Sequence, residues 1–476
     1  MTAATLAPET RRLWLSRALL ATLAATVLAH GGVSTVELDF AALGFAFLAL
    51  LAIAVPVSAP RLARFQALAL LLLAALLALA LWQVMPLDAS PLARPTWTTL
   101  GETIAKASSR GSISVAPGLT LAAAPDLAAP FLAFAVGLAC CQSDAEALRL
   151  WRGLAYFGAA YAAFAVFQEV FWPDQLLFEP KQFYLGDLTG SFVNRNTAGT
   201  FFGIALLLNL ALLFADLRAV RLERLGDWSA RGAALFLHLF AVLECAAALF
   251  LTRSRGAIGA TLVATLVATA MMSARKLTSG RQREGAFAGR RRAAVALAAL
   301  ALVVGLFVLF AGRSEHRAQA LASEDTRWCV FNSTVAAIAD RWPFGAGLGA
   351  FPDVFPAYRN ADCAGVYGVW DHAHDVFLEG LLGFGLPFVG AAAVVYAALG
   401  AALVFGVRAR RRLRFAPVAG LAALVLVTLH GTVDFSLQIP GVAVYFAAAM
   451  AAAVAVALGR AGEDGVARNE LPNRAA

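Results

Sequence analysis

The stretch ARFQALALLLLAALLALALW, residues 63–82, decides which solvent this chain folds in. After Arg64 it carries no charge, and about 20 helical residues of this kind cross roughly 30 Å of hydrocarbon. Similar stretches recur at 13–30, 40–57, 120–141, 153–171, 197–216, 232–252, 256–273, 293–312, 376–406, 416–433 and 441–459, so about twelve transmembrane helices are expected. The whole chain agrees: 61% of its residues are hydrophobic and 14% charged, against roughly half and a quarter in a soluble domain. The fold class expected is an all-α polytopic membrane protein, one integral domain over residues 1–476. The Ala/Leu-rich segment after Arg11 and Arg12 has the look of a signal peptide, but further spans follow directly and no small-x-small cleavage site stands out. It is read as an uncleaved first helix.

The net charge of +8 raises the question of a polyanion partner, which the placement of the basic residues answers. Arg11, Arg12, Arg61, Arg64, Arg149, Arg152, Arg218, Arg221, Arg224, Arg231, a cluster from Arg275 to Arg292, Arg408 to Arg414, Arg460, Arg468 and Arg474 fall on the termini and the even-numbered loops. Odd-numbered loops hold about half as many. Short loops rich in Arg and Lys stay cytoplasmic, so both termini are expected inside and the odd loops outside. The basic excess is a topology signal, and no nucleic-acid partner is expected. The external segments with room for structure are 83–119, 172–196 and 313–375, the last being the largest. Cys140, Cys141 and Cys245 fall in apolar spans, whereas Cys329 and Cys363 share the large outer loop and are a candidate disulfide if that loop faces an oxidising compartment.

Polar chemistry gathers in those outer loops. Thr252-Arg253-Ser254-Arg255-Gly256-Ala257 joins two spans with no spacer, which holds two arginines at the membrane edge. They either snorkel to the interface or clamp a phosphate, for which a permanently charged planar fork is suited. Trp370-Asp371-His372-Ala373-His374-Asp375 precedes the tenth span; Asp375 is placed to cap a helix there. The histidines are either ordinary loop residues or a general base, since imidazole titrates near neutrality. They lack a recognised metal-ligand spacing, and no metal or other cofactor is expected. Between these clusters lie Arg327, a possible external helix over 325–340, and Pro343-Phe344-Gly345-Ala346-Gly347-Leu348-Gly349, read as a turn because no strand precedes it. Asn194, Arg195 and Asn196 stand at the mouth of the sixth span, where the amides bind sugar hydroxyls or Asn196 caps the helix. Asp434 and Gln438 lie on the turn between the last two spans.

In this order the motifs resemble the bacterial O-antigen ligase and polymerase family. TRSRGA heads a helix, PFGAGLGAF follows, HAH comes before LEGLLGFGLP, and FVNRN and HGTVDFSLQIP flank them, so the resemblance covers roughly residues 180–445. One departure is Asp375, where the family pattern has Asn. The resemblance implies a GT-C-like glycosyltransferase of the bacterial inner membrane that moves a glycan from undecaprenyl diphosphate to a hydroxyl on lipid A core, another glycan or a protein, at the periplasmic face. It further implies inverting, metal-independent chemistry, with Arg255, then Arg327, then Arg253 neutralising the diphosphate and His374, or else His372, activating the acceptor. Asn194, Arg195, Asn196, Asp375, Asp434 and Gln438 are the expected substrate contacts. The alternative is a transporter or flippase of lipid-linked glycan, which would place ionisable groups near the midplane; here the span interiors are nearly free of charge.

Overall fold

Prolines and capping boxes open the long helices. α1 (Pro8–Leu28) and α3 (Pro60–Val84) begin on proline, whose missing N–H is one of the donors that a helix start leaves unpaired. α2 (Thr35–Ile53) and α6 (Asp144–Phe171) begin with Ser34/Glu37 and Ser143/Glu146 boxes, in which serine and glutamate each satisfy a backbone N–H of the first turn. The computed structural model describes residues 7–87, 111–219, 230–273, 317–360, 363, 368 and 370–459. The remaining helices are α4 (Pro117–Ala122), α5 (Ala124–Cys140), α7 (Arg195–Ala219), α8 (Ala230–Leu251), α9 (Arg255–Ser273), α10 (Arg317–Asp340), α11 (Phe351–Val354), α12 (Val376–Phe384), α13 (Leu386–Ala409), α14 (Phe415–Gly431) and α15 (Pro440–Leu458). The one sheet among the described residues is a two-residue antiparallel hairpin, Gln175–Leu176 with Glu179–Pro180.

The protein is an all-α polytopic membrane protein. Among the described residues nine helical segments are long and apolar enough to cross a membrane, with α4 and α5 running on as one of them. α1 and α14 fall outside that set, because α1 carries Glu9, Arg11, Arg12 and Arg17 and α14 has 17 residues. Both nonetheless link the two ends of the bundle. Arg12 of α1 meets Glu146 at one end while Val27 accepts from Ser191 at the other. The span expected at 293–312 lies outside the described residues.

α7 and α15 form the centre. α15 packs against α5, α6, α13 and α14, and α7 against α6, α8, α9 and α14. Lipid tails are as apolar as leucine, so close packing rather than hydrophobic burial joins such helices, and small residues favour it. α15 supplies a run of buried alanines from Ala447 to Ala457, interrupted by Met450, Val454 and Val456. At Gly137 of α5 an added Cβ would lie 2.7 Å from that of Ala451. Outward faces are apolar instead: Phe40 and Phe47 of α2, Leu71 of α3 and Phe240 of α8 are exposed, which suits a surface covered by lipid.

Ion pairs gather at the two ends, while inside the bundle Asn209 donates to the Ala155 and Ala205 carbonyls and His238 bonds Asp216 and Tyr156. One end carries Arg12–Glu146, Arg410–Asp144 and the Gln142 contacts to Ser58. The other carries the α1–α2, α6–α7, α8–α9 and α14–α15 links, tied together where Gly441 N–H donates to the Gly31 carbonyl at 2.8 Å and Leu188 N–H to that of Leu251 at 3.0 Å. α10, α11 and α12 sit at this second end.

The expected tenth span, 376–406, is not one helix. Gly385 takes a left-handed conformation (φ +64°) and Pro387 follows in the first turn of the next helix, so the chain breaks into α12 and α13. The Gly345–Gly349 turn serves this break. Ala346 and Gly347 N–H groups donate to the Leu382 and Gly383 carbonyls at 2.6 and 3.2 Å, Leu386 N–H donates to the Pro343 carbonyl at 2.8 Å, and Gln83 of α3 donates to the Phe344 and Gly383 carbonyls. Carbonyls that a helix end would leave bare are thereby satisfied. Gly347 (φ +110°) has no room for a side chain, because Ser114 and Thr120 occupy the place.

Candidate active site

Three polar groupings meet at the second end. The first is built on the α8–α9 link. Leu251 ends one helix and Arg255 starts the next, and between them Arg253 adopts a left-handed backbone (φ +52°). Ser254 caps α9: its carbonyl accepts from Ile258 N–H at 2.9 Å and its hydroxyl from Ala257 N–H at 3.4 Å. Arg253 and Arg255 therefore flank the positive end of a helix, both exposed. Arg253 reaches the buried Asp187 carboxylate at 3.4 Å, and Arg195 reaches its other oxygen at 2.7 Å while lying over the Tyr184 ring. Asp187 and Tyr184 have no signal in the sequence. Burial raises the Tyr184 phenol, which is acted on further by Asp434, Arg195, Arg327 and Asp187.

The second grouping is a buried network. Ser254 Oγ donates to Asn196 Oδ1 at 2.8 Å, and Asn196 Nδ2 donates to Asp434 Oδ2 at 2.7 Å. The other Asp434 oxygen accepts from the Ser436 N–H at 2.9 Å and from the Ser436 hydroxyl. This ties α7, α9 and the α14–α15 turn. Thr200 and His430 add a hydrogen bond at 2.7 Å between α7 and α14. The capping expected of Asn196 belongs instead to Asn194, whose side chain accepts from Asn196 N–H at 2.7 Å. Asn196 starts one residue too late to cap and points its amide into the network. Gln438 lies next to Asp434, on a short 3-10 turn, with its Oε1 buried and unbonded among the described residues.

The third grouping holds the histidines. Asp375 caps α12, accepting from Phe377 and Leu378 N–H groups at 2.8 and 2.9 Å; burial raises its carboxyl against the lowering effect of those donors. One turn into α12, Glu379 accepts from His372 Nδ1 at 2.9 Å and from Ala373 N–H at 2.8 Å. His372 stacks on Phe435, with centroids 4.4 Å apart, and His374 stands edge-on to the same ring at 4.8 Å and to Trp370 at 5.1 Å. The two imidazoles differ. Burial lowers His374 to about 4, with Asp434 opposing and Arg327 and His372 reinforcing. Burial also works against charge on His372, but Glu379, Asp371 and Asp126 prevail and hold it above the ordinary value. His374 Nδ1 is buried and unbonded among the described residues, and its backbone is left-handed (φ +55°).

Phe435, the neighbour of Asp434, lies against both imidazoles, and Asp434 is joined through Asn196 to Ser254 between the two arginines, so the arginine corner and the histidines belong to one site. Arg327 is carried by α10, which the Cys329–Cys363 disulfide (Cα–Cα 5.3 Å) joins to the segment running toward the histidines. Asn196, Asp375 and Asp434, expected as substrate contacts, have structural partners here. Among the described residues no three His, Cys, Asp or Glu side chains converge as metal ligands would.

Residues 240–389 match the family model described as O-Antigen ligase. The chain carries an O-antigen ligase domain. That domain runs from within α8 to the start of α13, and so contains Arg253, Arg255, Arg327, both histidines, Glu379 and the glycine turn. Asp187, Arg195, Asn196 and Asp434 complete the site from outside the matched segment. No curated protein matches the chain. An O-antigen ligase domain embedded among membrane-spanning helices gives the protein a role in glycan transfer of the ligase or polymerase type.

Proposed function

We propose that this protein transfers a glycan from undecaprenyl diphosphate to a hydroxyl acceptor at the periplasmic face of the bacterial inner membrane. The observation that carries this reading is the meeting of an arginine corner with two half-buried, unequal histidines in a domain of the O-antigen ligase family. Attack of the acceptor oxygen on the anomeric carbon breaks that carbon's bond to the diphosphate, and the leaving group takes the electron pair. Arg255, Arg253 and Arg327 offset the developing charge in place of a metal ion. Removal of one such preorganised donor costs roughly 10²- to 10³-fold in rate. A histidine removes the acceptor's proton, and displacement from the opposite side inverts the anomeric configuration.

The basic loops support the orientation. Arg12, Arg149 and Arg410 lie at the end away from the site, which the positive-inside rule places in the cytoplasm. The acceptor is lipid A core, another glycan or a protein. Comparison of lipopolysaccharide and exopolysaccharide from a strain lacking this protein with the parent strain tests the reading: loss of long glycan from one of these, with lipid-linked glycan accumulating, is expected. An unchanged profile with unchanged lipid-linked glycan would overturn it.

A further inference from the structure

We propose that the segment from Trp172 to Asp187 is a foot that enters the membrane leaflet at the site's end of the bundle, its apolar side chains covered by the acyl chains of phospholipid. Phe178, at the turn of the two-residue hairpin, is 97% exposed, and Trp172, Phe183 and Leu185 are each more than half exposed. So many large apolar side chains uncovered on one short segment, among the described residues, mark an interaction surface.

The level of the hairpin decides what covers it. Lys181 is buried, and its Nζ donates to Glu169 Oε2 at 3.1 Å and to the Pro173 and Asp187 carbonyls at 3.0 and 2.8 Å. Gln168 Nε2 donates to the Gln175 carbonyl at 2.6 Å. Gln168 and Glu169 lie in the last turn of α6, so these bonds fold the hairpin back to the height of that turn. The outward side of the same turn is aromatic. Phe167, Phe171 and Trp172 are exposed, with ring centroids 4.6, 5.7 and 6.2 Å apart, and Phe164 continues the stripe one turn away. α6 is long and apolar enough to span the membrane, so its exposed flank faces lipid. Phe178, Phe183 and Leu185 extend that lipid-facing surface beyond the helix end, at the level where aromatic rings are favoured. Asp174 and Glu179 are exposed on the same segment. A carboxylate in hydrocarbon is costly, so the foot goes no deeper than the interface.

The foot also carries Tyr184 and Asp187, which meet Arg195 and Arg253. Its anchorage therefore sets the height of the arginine corner against the bilayer. On the transferase reading, this is the height at which a lipid diphosphate presents its phosphates.

The test places p-benzoylphenylalanine at Phe178, and separately at Phe183, in the full-length protein in vesicles of phosphatidylethanolamine and phosphatidylglycerol. Illumination followed by mass spectrometry should show phospholipid adducts at both positions, in a yield that added undecaprenyl diphosphate does not change. Lys181→Met removes the strut and should lower the yield several-fold. Adducts with undecaprenyl diphosphate in place of phospholipid, a crosslink within the chain, or no lipid adduct at either position would overturn the foot; an unchanged yield in Lys181→Met would overturn the strut. In the transfer assay, Phe178→Asp, whose charge resists entry into the leaflet, should raise donor KM roughly tenfold and leave kcat as it is. An unchanged donor KM would refute the link from the foot to the arginine corner. Absence of product from the wild type with every acceptor would remove the transferase reading and leave the adducts to decide the foot.

Discussion

Replacing Asn196 with alanine removes the side chain that joins the α7, α9 and α14–α15 parts of the buried network. Asn196, Ser254 and Asp434 are respectively 7%, 1% and 1% exposed, so water cannot replace the lost partners. Ser254 Oγ loses its acceptor and Asp434 Oδ2 its donor. A buried group left unsatisfied costs about 1–3 kcal/mol, more when charged, which gives roughly 3–5 kcal/mol for Asn196→Ala. Asp434 keeps its two Ser436 contacts and is not stranded altogether. Asn196→Asp should be worse near neutral pH, because two carboxylates would then face each other, and should recover in acid as one takes a proton. Asp434→Asn keeps shape and one acceptor oxygen and should cost least. Tryptophan-monitored unfolding of the detergent-purified variants measures the differences. Since Ser254 caps the helix that begins at Arg255, Asn196→Ala should also weaken donor binding. A variant within about 0.5 kcal/mol of wild type would refute the claim that this network holds the site together.

Three further outcomes are expected. A phosphatase fused after Gly349 should be active and one fused after Gly285 inactive, and the reverse pattern would invert the whole topology. Unreduced, denatured protein should label at three of its five cysteines and reduced protein at all five; breaking the bridge, which spans a sequence separation of 34, should cost about 3–4 kcal/mol on chain-entropy grounds. His374 is held at about 4 against an ordinary 6.5, so between those values the unfolded chain binds the extra proton. Its contribution to stability is then complete above about pH 6.5 and declines as pH falls toward 4. The difference between wild type and His374→Gln in acid unfolding isolates it, and a pH-independent difference would contradict the burial of a neutral ring.

The membrane architecture was legible because the solvent imposes it: an unbroken apolar run such as 63–82 has no stable alternative to a spanning helix. The break at Gly385 was harder to foresee, since apolar residues continue through Phe384 and Leu386 and only the Gly-Leu-Pro sequence marks it. Asp375 could be read as a cap because N-capping depends on local sequence. Asp187 could not, since its meaning comes from Arg195 and Arg253, brought to it by folding. Neither histidine could be distinguished from the other in the sequence, two residues apart in one motif. Their difference arises from Glu379, a helical turn further on, and from Arg327 and Asp434, distant in the chain.

The most direct test of glycosyl transfer from a lipid diphosphate measures, in vesicles containing purified protein and a defined undecaprenyl-diphosphate glycan, both the glycosylated acceptor and the undecaprenyl diphosphate released. One released lipid per transferred glycan is predicted, insensitive to chelator, lost in Arg255→Ala and at best partly restored in Arg255→Lys, which keeps the charge but not the fork. Full activity of Arg255→Ala, a requirement for added divalent ion, or movement of intact glycan-lipid across the membrane without transfer would contradict the account.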